Sequence, residues 1–188
     1  MTTFPFQSDK IQNYISSLNF LSKEECDKVI KTTNNQNLEK AKVVTEKDSS
    51  RESYVNWMVL NQETSWLYNR ISDAVLAANN EFFNFNLYGI IESLQFTKYK
   101  APSGRYGKHI DKLLNGVIRK LSISIQLTNP SEYEGGELNL YLDDVPITMN
   151  KQQGAIIIFP SFILHEVMPV TQGERNSLVT WVTGEPFK

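Results

Sequence analysis

The sequence predicts a mainly β protein in which N-terminal helices flank an antiparallel sandwich or jelly roll. Two stretches near the N-terminus have helical periodicity, and from about Leu87 the pattern changes to short β-rich runs between turn residues. The predicted strands cover 90–100, 105–111, 118–128, 137–142, 145–149, 155–159, 163–168 and 176–183. We expect a single domain over 1–188, with a helical part at about 1–86 and a β core at about 87–185.

A capping box marks the start of the first predicted helix. Ser22 is followed three residues later by Glu25, the spacing at which each side chain can bond the other residue's backbone N–H. The polar run 33–35 predicts the end of this helix. A second helix is predicted from about Thr64. Its apolar stripe has three- and four-residue spacing and consists of Leu67, Ile71, Ala74, Val75, Ala78 and Phe82.

One predicted strand alternates strictly between apolar and polar residues. In 121–127, the side chains of Ser122, Ser124 and Gln126 share one face, where polar groups would line a cavity. The run 155–159 is apolar throughout, which is typical of a strand covered on both faces. The pair Gly135-Gly136 is assigned to a turn for conformational reasons alone.

Composition argues against several classes of partner. The net charge is −2 and no Lys/Arg run is present, so a nucleic-acid partner is not expected. No signal-peptide pattern or membrane-length apolar run occurs, so no membrane partner is expected either.

Cys26 is the only cysteine and cannot form an internal disulfide, which favours a cytoplasmic location and a buried, apolar role for this residue. The sequence does not fix the oligomeric state.

The two histidines of the chain are candidate metal ligands. His109 stands two residues before Asp111, and side chains at this spacing in a strand point the same way. With His165 they form the set of two imidazoles and one carboxylate that binds one face of Fe(II) and leaves the other open. A hydrogen-bonded structural histidine is the commoner role for a lone His, so the neighbouring segments matter.

Several segments, in order, resemble the Fe(II)/2-oxoglutarate-dependent dioxygenases of the prolyl 4-hydroxylase type. The resemblance spans roughly residues 90–185, with a fainter similarity in the N-terminal helices. It implies a double-stranded β-helix, the jelly-roll fold of cupin-like proteins. It is carried by Gln95–Tyr99, Tyr106–Asp111, Tyr133–Leu138, Phe159–Ser161, His165–Val167 and Gly173–Trp181.

The resemblance implies a role for each matching residue at the catalytic centre. His109, Asp111 and His165 would be the iron ligands. Arg175, ten residues after the distal histidine, would bind the far carboxylate of 2-oxoglutarate. A planar guanidinium suits this task because it grips a carboxylate through two parallel hydrogen bonds. A solvated turn residue is the alternative for Arg175.

Three further residues are expected to bind the co-substrate. Tyr99 matches a tyrosine that hydrogen-bonds 2-oxoglutarate, and Trp181 matches an aromatic near the inner end of the barrel. Core packing is the alternative role for both. Ser177 alternates in phase with Arg175 and is therefore a candidate second donor to the same carboxylate. Val167 is expected to line the cavity.

The segments around the predicted cavity are candidates for substrate contact. Residues 101–107 are expected to form a loop at the mouth, where Arg105 and Tyr106 would meet a substrate. The polar segment 31–55 would contribute another mouth loop or lack order. Glu166 is predicted to point away from the metal because it is adjacent to His165 on a strand.

The implied cofactor is Fe(II), with 2-oxoglutarate and O₂ as co-substrates and ascorbate as a candidate reductant. The favoured reaction is prolyl 4-hydroxylation of a protein or peptide, with succinate and CO₂ as co-products. One alternative is the same chemistry on another amino-acid side chain or a small molecule. The other is a non-enzymatic barrel that binds a metal or ligand.

Overall fold

The computed structural model describes residues 12–34, 38–41, 50–111 and 118–186. Its long helices are α1 (Lys23–Asn34) and α2 (Ser65–Ala78), and α2 continues into a π-helical turn at Asn79–Phe83. None of the helices in these ranges combines the length and the hydropathy that crossing a bilayer requires.

The strands form two antiparallel sheets. The larger sheet has the order β1-β12-β8-β14-β6-β4-β2, with β5 and β9 also paired to β14, and the smaller has the order β11-β10-β13-β7-β3. The strands are β1 (Ile15–Ser17), β2 (Glu39–Lys40), β3 (Arg51–Glu52), β4 (Tyr54–Met58), β5 (Leu87–Gly89), β6 (Leu94–Lys100), β7 (Arg105–His109), β8 (Arg119–Gln126), β9 (Tyr133–Gly135), β10 (Leu138–Tyr141), β11 (Pro146–Thr148), β12 (Ile156–Pro160), β13 (Leu164–Val167) and β14 (Val170–Gly184).

Strand β8 shows how the alternating sequence separates two environments. Its Ile123 and Ile125 are fully buried in the cluster that contains the apolar residues of both helices. The polar residues of β8 lie on the opposite face of this sheet. A second apolar cluster there includes Leu140 and Val167 of the smaller sheet together with Phe159 of the larger one. The sheets therefore enclose an interior that is partly polar.

The predicted capping box of α1 is present. The Ser22 N–H donates to Glu25 Oε2 over 2.8 Å, and the Glu25 N–H donates to Ser22 Oγ over 3.2 Å. The helix ends at Asn34, within the polar run that predicted its end. Cys26 is fully buried on the apolar face of this helix, and burial raises the pKa of its thiol to about 12.

The structure also contains strands that the sequence did not predict. Strands β1 to β5 all begin before the first predicted strand and are two to five residues long. Such short segments carry too few residues to display a period of two. Strand β14 begins at Val170, earlier than predicted, because its first residues pair with β9.

Candidate metal and co-substrate site

Strand pairing in the smaller sheet brings the two histidines together. His109 ends β7 and lies directly opposite His165 of β13, with ring centroids 4.1 Å apart. Asp111 follows β7, and its backbone N–H donates to the Ser161 carbonyl over 3.0 Å. One ligand atom from each of these three side chains lies within 4.8 Å of the others. The three predicted metal ligands therefore lie close enough to bind one ion.

Backbone carbonyls fix which ring nitrogen of each histidine faces the carboxylate. His109 Nδ1 lies 2.7 Å from the Gly107 carbonyl, and His165 Nδ1 lies 2.8 Å from the Ile163 carbonyl. Because a carbonyl only accepts, each Nδ1 carries a proton, and in the neutral imidazole the lone pair is therefore on Nε2. The two Nε2 atoms lie 3.8 and 3.6 Å from oxygens of Asp111. This arrangement is typical of histidines that bind one metal ion, and less so of two separate structural histidines.

The electrostatics of the cluster favour the metal-binding forms of Asp111 and His109. Burial alone would raise the pKa of Asp111, but His165, His109 and the Ser122 hydroxyl outweigh burial and lower it. Ser122 donates to Asp111 Oδ2 over 2.5 Å, and its oxygen lies 2.9 Å from Ser161 Oγ. Burial, followed by the charge of His165, lowers the pKa of His109 to about 4. At neutral pH the cluster therefore offers a carboxylate and a neutral His109 imidazole.

The buried cation predicted from the sequence, Arg175, lies on the inner face of the larger sheet, the face that also carries Ser122 and Gln126. Arg175 is 1% exposed, and no carboxylate in the described ranges lies within ion-pair distance of it. Its Nη2 donates to Gln126 Oε1 over 2.9 Å, whereas its Nε has no hydrogen-bond partner. Because burying an unpaired charge is costly, this guanidinium indicates a site for an anionic ligand.

The other predicted co-substrate residues divide between the two ends of this face. Tyr99 is opposite Arg175 in the β6–β14 pair, and its ring centroid lies 5.3 Å from the guanidinium carbon. Ser177 Oγ lies 3.5 Å from Arg175 Nη1. Trp181 instead pairs with Ser122, the residue bonded to Asp111. One end of this face adjoins the cluster of His109, Asp111 and His165 and is called the metal end. Trp181 lies at the metal end, whereas Tyr99 and Ser177 lie at the Arg175 end.

Two residues beside Arg175 were not expected to have a functional role. A Cβ at Gly136 would lie 2.9 Å from Arg175 Cδ and 3.4 Å from the Tyr133 ring, and its φ is +64°. The assignment of Gly136 to conformation alone was therefore incomplete, because the missing side chain also makes room for the guanidinium. Burial raises the pKa of the Tyr133 hydroxyl, and the neighbouring Arg175 guanidinium opposes this rise. In the sequence, the signal for a role of Tyr133 was that it lies in a segment that resembles the family.

The remaining sequence candidates have contacts that bear on their predicted roles. Glu166 accepts a hydrogen bond from the Tyr141 hydroxyl and is not among the residues that group around the metal site. Val167 is buried in the cluster between the sheets. Tyr106 stacks on His109 with ring centroids 3.5 Å apart, and Arg105 approaches Glu52 to 3.6 Å. Tyr106 is therefore part of the metal end.

The residues of this site fit Fe(II) and 2-oxoglutarate, the groups that the sequence implies. Two imidazole nitrogens and one carboxylate form the donor set of a non-haem Fe(II) centre, and one such cluster occurs in the described ranges. The Arg175 guanidinium, whose Nε is free and which has no carboxylate partner in the described ranges, complements the far carboxylate of a dicarboxylate such as 2-oxoglutarate.

Known proteins resemble this chain in the region that contains the site. The family described as "2OG-Fe(II) oxygenase superfamily" matches residues 94–183. A PKHD-type hydroxylase of Sphingopyxis alaskensis is 35% identical over 123 residues, which is 61% of this chain and 56% of that protein. The chain thus spans about half the length of the curated relatives it matches.

Two solved structures resemble the fold across almost the whole chain. The first is a prolyl hydroxylase in complex with a hypoxia inducible factor oxygen degradation domain peptide fragment from Trichoplax adhaerens. It has a TM-score of 0.76 at 16% identity and covers 92% of this chain and 84% of that one. The second is the viral collagen prolyl hydroxylase of Paramecium Bursaria Chlorella virus-1, as a 2OG complex. It has a TM-score of 0.72 at 23% identity and covers 93% of this chain and 97% of that one.

These structures confirm the predicted fold class, a mainly β double-stranded β-helix with flanking helices. The family match includes most of the inner face described above, from β6 through β14, with all three metal-ligand candidates and Arg175. Residues 94–183 of the chain therefore match the 2OG-Fe(II) oxygenase superfamily.

Proposed function

We propose that this chain is an Fe(II)- and 2-oxoglutarate-dependent dioxygenase that hydroxylates a proline residue of a protein or peptide. The observation that carries the proposal is that the interior between the two sheets holds both a three-ligand cluster and a buried cation without a carboxylate partner in the described ranges. In the bound state, Fe(II) with 2-oxoglutarate and O₂ would supply the oxidation that inserts one oxygen into a C–H bond and yields succinate and CO₂.

His109, Asp111 and His165 would hold the iron in this proposal. The backbone bonds at both Nδ1 atoms orient the imidazoles, and Ser122 orients the carboxylate. Three protein ligands leave positions open on a six-coordinate metal, which is what a chelating co-substrate and O₂ require. The protein's contribution is to hold these groups in one geometry before the substrate binds.

Arg175 would bind the far carboxylate of 2-oxoglutarate at the other end of the face. Its free Nε supplies a donor, and Ser177 and Tyr99 lie close enough to the guanidinium to contribute hydroxyl groups. Trp181 would border the metal end of the same pocket. Ascorbate belongs to this proposal as an added reductant that sustains turnover.

The prolyl target rests on similarity of fold. The two solved neighbours are prolyl hydroxylases, and one was solved with a peptide. The Sphingopyxis relative is named only as a hydroxylase. Another side chain or a small molecule is therefore the alternative substrate.

Two measurements test the proposal. We expect the purified chain to convert 2-oxoglutarate to succinate only when Fe(II) is added, and His165→Ala to abolish this conversion. A chain that binds Fe(II) but forms no succinate would leave a binding barrel as the better interpretation. Mass spectrometry of a proline-rich peptide library should then find products heavier by one oxygen atom, located at proline. Oxygen on another residue type would overturn the prolyl assignment and retain the chemistry.

A further inference from the structure

Three side chains stack in sequence at the metal end of the interior. The guanidinium carbon of Arg51 lies 4.5 Å from the centroid of the Tyr106 ring. The Tyr106 ring lies nearly parallel to the His109 imidazole, with centroids 3.5 Å apart and 18° between the planes. One metal-ligand candidate is therefore packed against an aromatic ring that is itself in contact with a cation.

Hydrogen bonds determine where the Arg51 guanidinium lies. Its Nε donates to Ser53 Oγ over 2.9 Å, and its Nη2 donates to Gln95 Oε1 over 3.0 Å. Arg51 belongs to β3 of the smaller sheet, whereas Gln95 belongs to β6 of the larger one. The side chain thus links the two sheets beside the metal end. Within the described ranges, these two bonds and the stack on Tyr106 are the contacts that orient Arg51, and no carboxylate of those ranges forms an ion pair with it.

Tyr106 is also held from several directions. It is opposite Arg51 in the β3–β7 pair and opposite Val167 in the β7–β13 pair. The next residue, Gly107, donates its N–H to the Ser50 carbonyl over 2.8 Å. Pairing with β3 and the bond to Ser50 therefore position the Tyr106 backbone where its ring meets His109.

The two histidines differ in what surrounds them. The side chain of His165 is 7% exposed and meets the edge of the Phe159 ring at a centroid distance of 4.9 Å. The side chain of His109 is 17% exposed, and its bond to Gly107 fixes a direction within the ring plane. That single bond still allows the imidazole plane to rotate about the bond direction. The Tyr106 ring, which lies nearly parallel to the imidazole, restricts this rotation.

We propose that Arg51 and Tyr106 are positioning residues that hold the His109 ring in its metal-binding orientation. This inference rests on the proposed metal site. It adds a contribution from Arg51 of β3, which lies outside the residues that the family match covers. Tyr106 acts by contact with His109, and Arg51 acts through Tyr106. Residues that orient metal ligands from outside the coordination sphere typically change metal affinity by about 10- to 100-fold when mutated.

The test is an anaerobic titration of the metal-free protein with Co(II), followed by visible absorption and calorimetry. Tyr106→Leu removes the ring and should weaken Co(II) binding about tenfold, whereas Tyr106→Phe keeps the ring and should stay within about twofold of wild type. Arg51→Met should weaken binding about three- to tenfold. Arg70→Met is the matched control, because Arg70 also packs over an aromatic ring, that of Trp66, but on helix α2.

The double variant separates a shared mechanism from independent damage. If Arg51 acts through Tyr106, adding Arg51→Met to Tyr106→Leu should cause little further loss, because coupled residues are not additive. Fully additive losses, or wild-type affinity in both single variants, would overturn the inference. Should Arg51→Met fail to fold, equal losses in Tyr106→Leu and Tyr106→Phe would overturn it, and rescue by Phe would support it.

His109→Ala distinguishes failure of this inference from failure of the proposed function. A large loss of Co(II) affinity in His109→Ala, with no loss in the Tyr106 and Arg51 variants, leaves the metal site intact and removes only the positioning role. Unchanged affinity in His109→Ala would instead overturn the metal site, and the positioning role with it.

Discussion

Replacing Arg175 by lysine tests the co-substrate assignment while keeping the charge. Lysine retains a cation but loses the planar fork that binds a carboxylate through two hydrogen bonds. It also loses the Nη2 bond to Gln126, which fixes where the fork points. We expect the change to weaken 2-oxoglutarate binding by roughly 1–3 kcal/mol, which corresponds to about ten- to a hundredfold.

The magnitude follows from the surroundings of the guanidinium. Arg175 is 1% exposed, so water cannot replace a lost hydrogen bond. Because no carboxylate of the described ranges pairs with it, the substitution breaks no ion pair among those residues that would obscure the result. The assay is the Michaelis constant for 2-oxoglutarate in succinate formation, with direct calorimetry on the Mn(II)-loaded protein. Arg70→Lys, on the helical layer, is the control and should leave both values unchanged.

Arg175→Met separates a binding role from a structural one. Methionine removes a buried charge that has no carboxylate partner among the described residues, and replacing buried charges by apolar side chains is often neutral for stability. The free energy of unfolding in urea should therefore stay within about 1 kcal/mol of wild type, while 2-oxoglutarate affinity is lost. An unchanged Michaelis constant in Arg175→Lys, or a loss of several kcal/mol of stability in Arg175→Met, would refute the reasoning.

Four further predictions concern other parts of the structure. Asp111→Asn removes the only anionic ligand of the cluster and should reduce Co(II) affinity more than a hundredfold by calorimetry, as a rough estimate; a small effect would argue against coordination. Ser122→Ala removes the 2.5 Å bond to this carboxylate and should reduce the same affinity about tenfold, and an unchanged value would show that the bond does not orient the ligand. Arg119→Met leaves the Glu92 carboxylate without its guanidinium partner and should cost about 1–3 kcal/mol in urea unfolding, so a neutral result would count against this ion pair. Cys26 should resist a thiol reagent at pH 8 until the protein is unfolded, because burial raises its pKa to about 12; rapid labelling of the native protein would contradict the described packing.

The predictions that succeeded from sequence rest on local patterns. The capping box at Ser22 and Glu25 involves residues three apart, so its two hydrogen bonds depend only on helix geometry. Likewise, the alternation of β8 determines which of its side chains share a face. The spacing of His109 and Asp111 placed both at the metal end, although Asp111 lies just beyond the last residue of β7.

The predictions that failed or were incomplete depend on contacts between distant segments. Strand β3 is two residues long, and pairing with β7 gives it a role that no local pattern could indicate. Gly136 was interpreted as a turn residue, but its missing side chain also admits Arg175 from a strand much later in the chain. The position of Trp181 at the metal end follows from its pairing with Ser122.

By itself, the sequence determined the kinds of groups available: two imidazoles, a nearby carboxylate and an arginine in phase with a serine on a later strand. It also determined the alternating faces, because side-chain direction along a strand is a property of the local backbone. Only the tertiary structure decided that the two Nε2 atoms face one carboxylate, that the Arg175 guanidinium lacks a carboxylate partner among the described residues, and that Arg51 and Tyr106 pack against His109. These features depend on strand register between segments far apart in the chain, and register is set when the two sheets pack together.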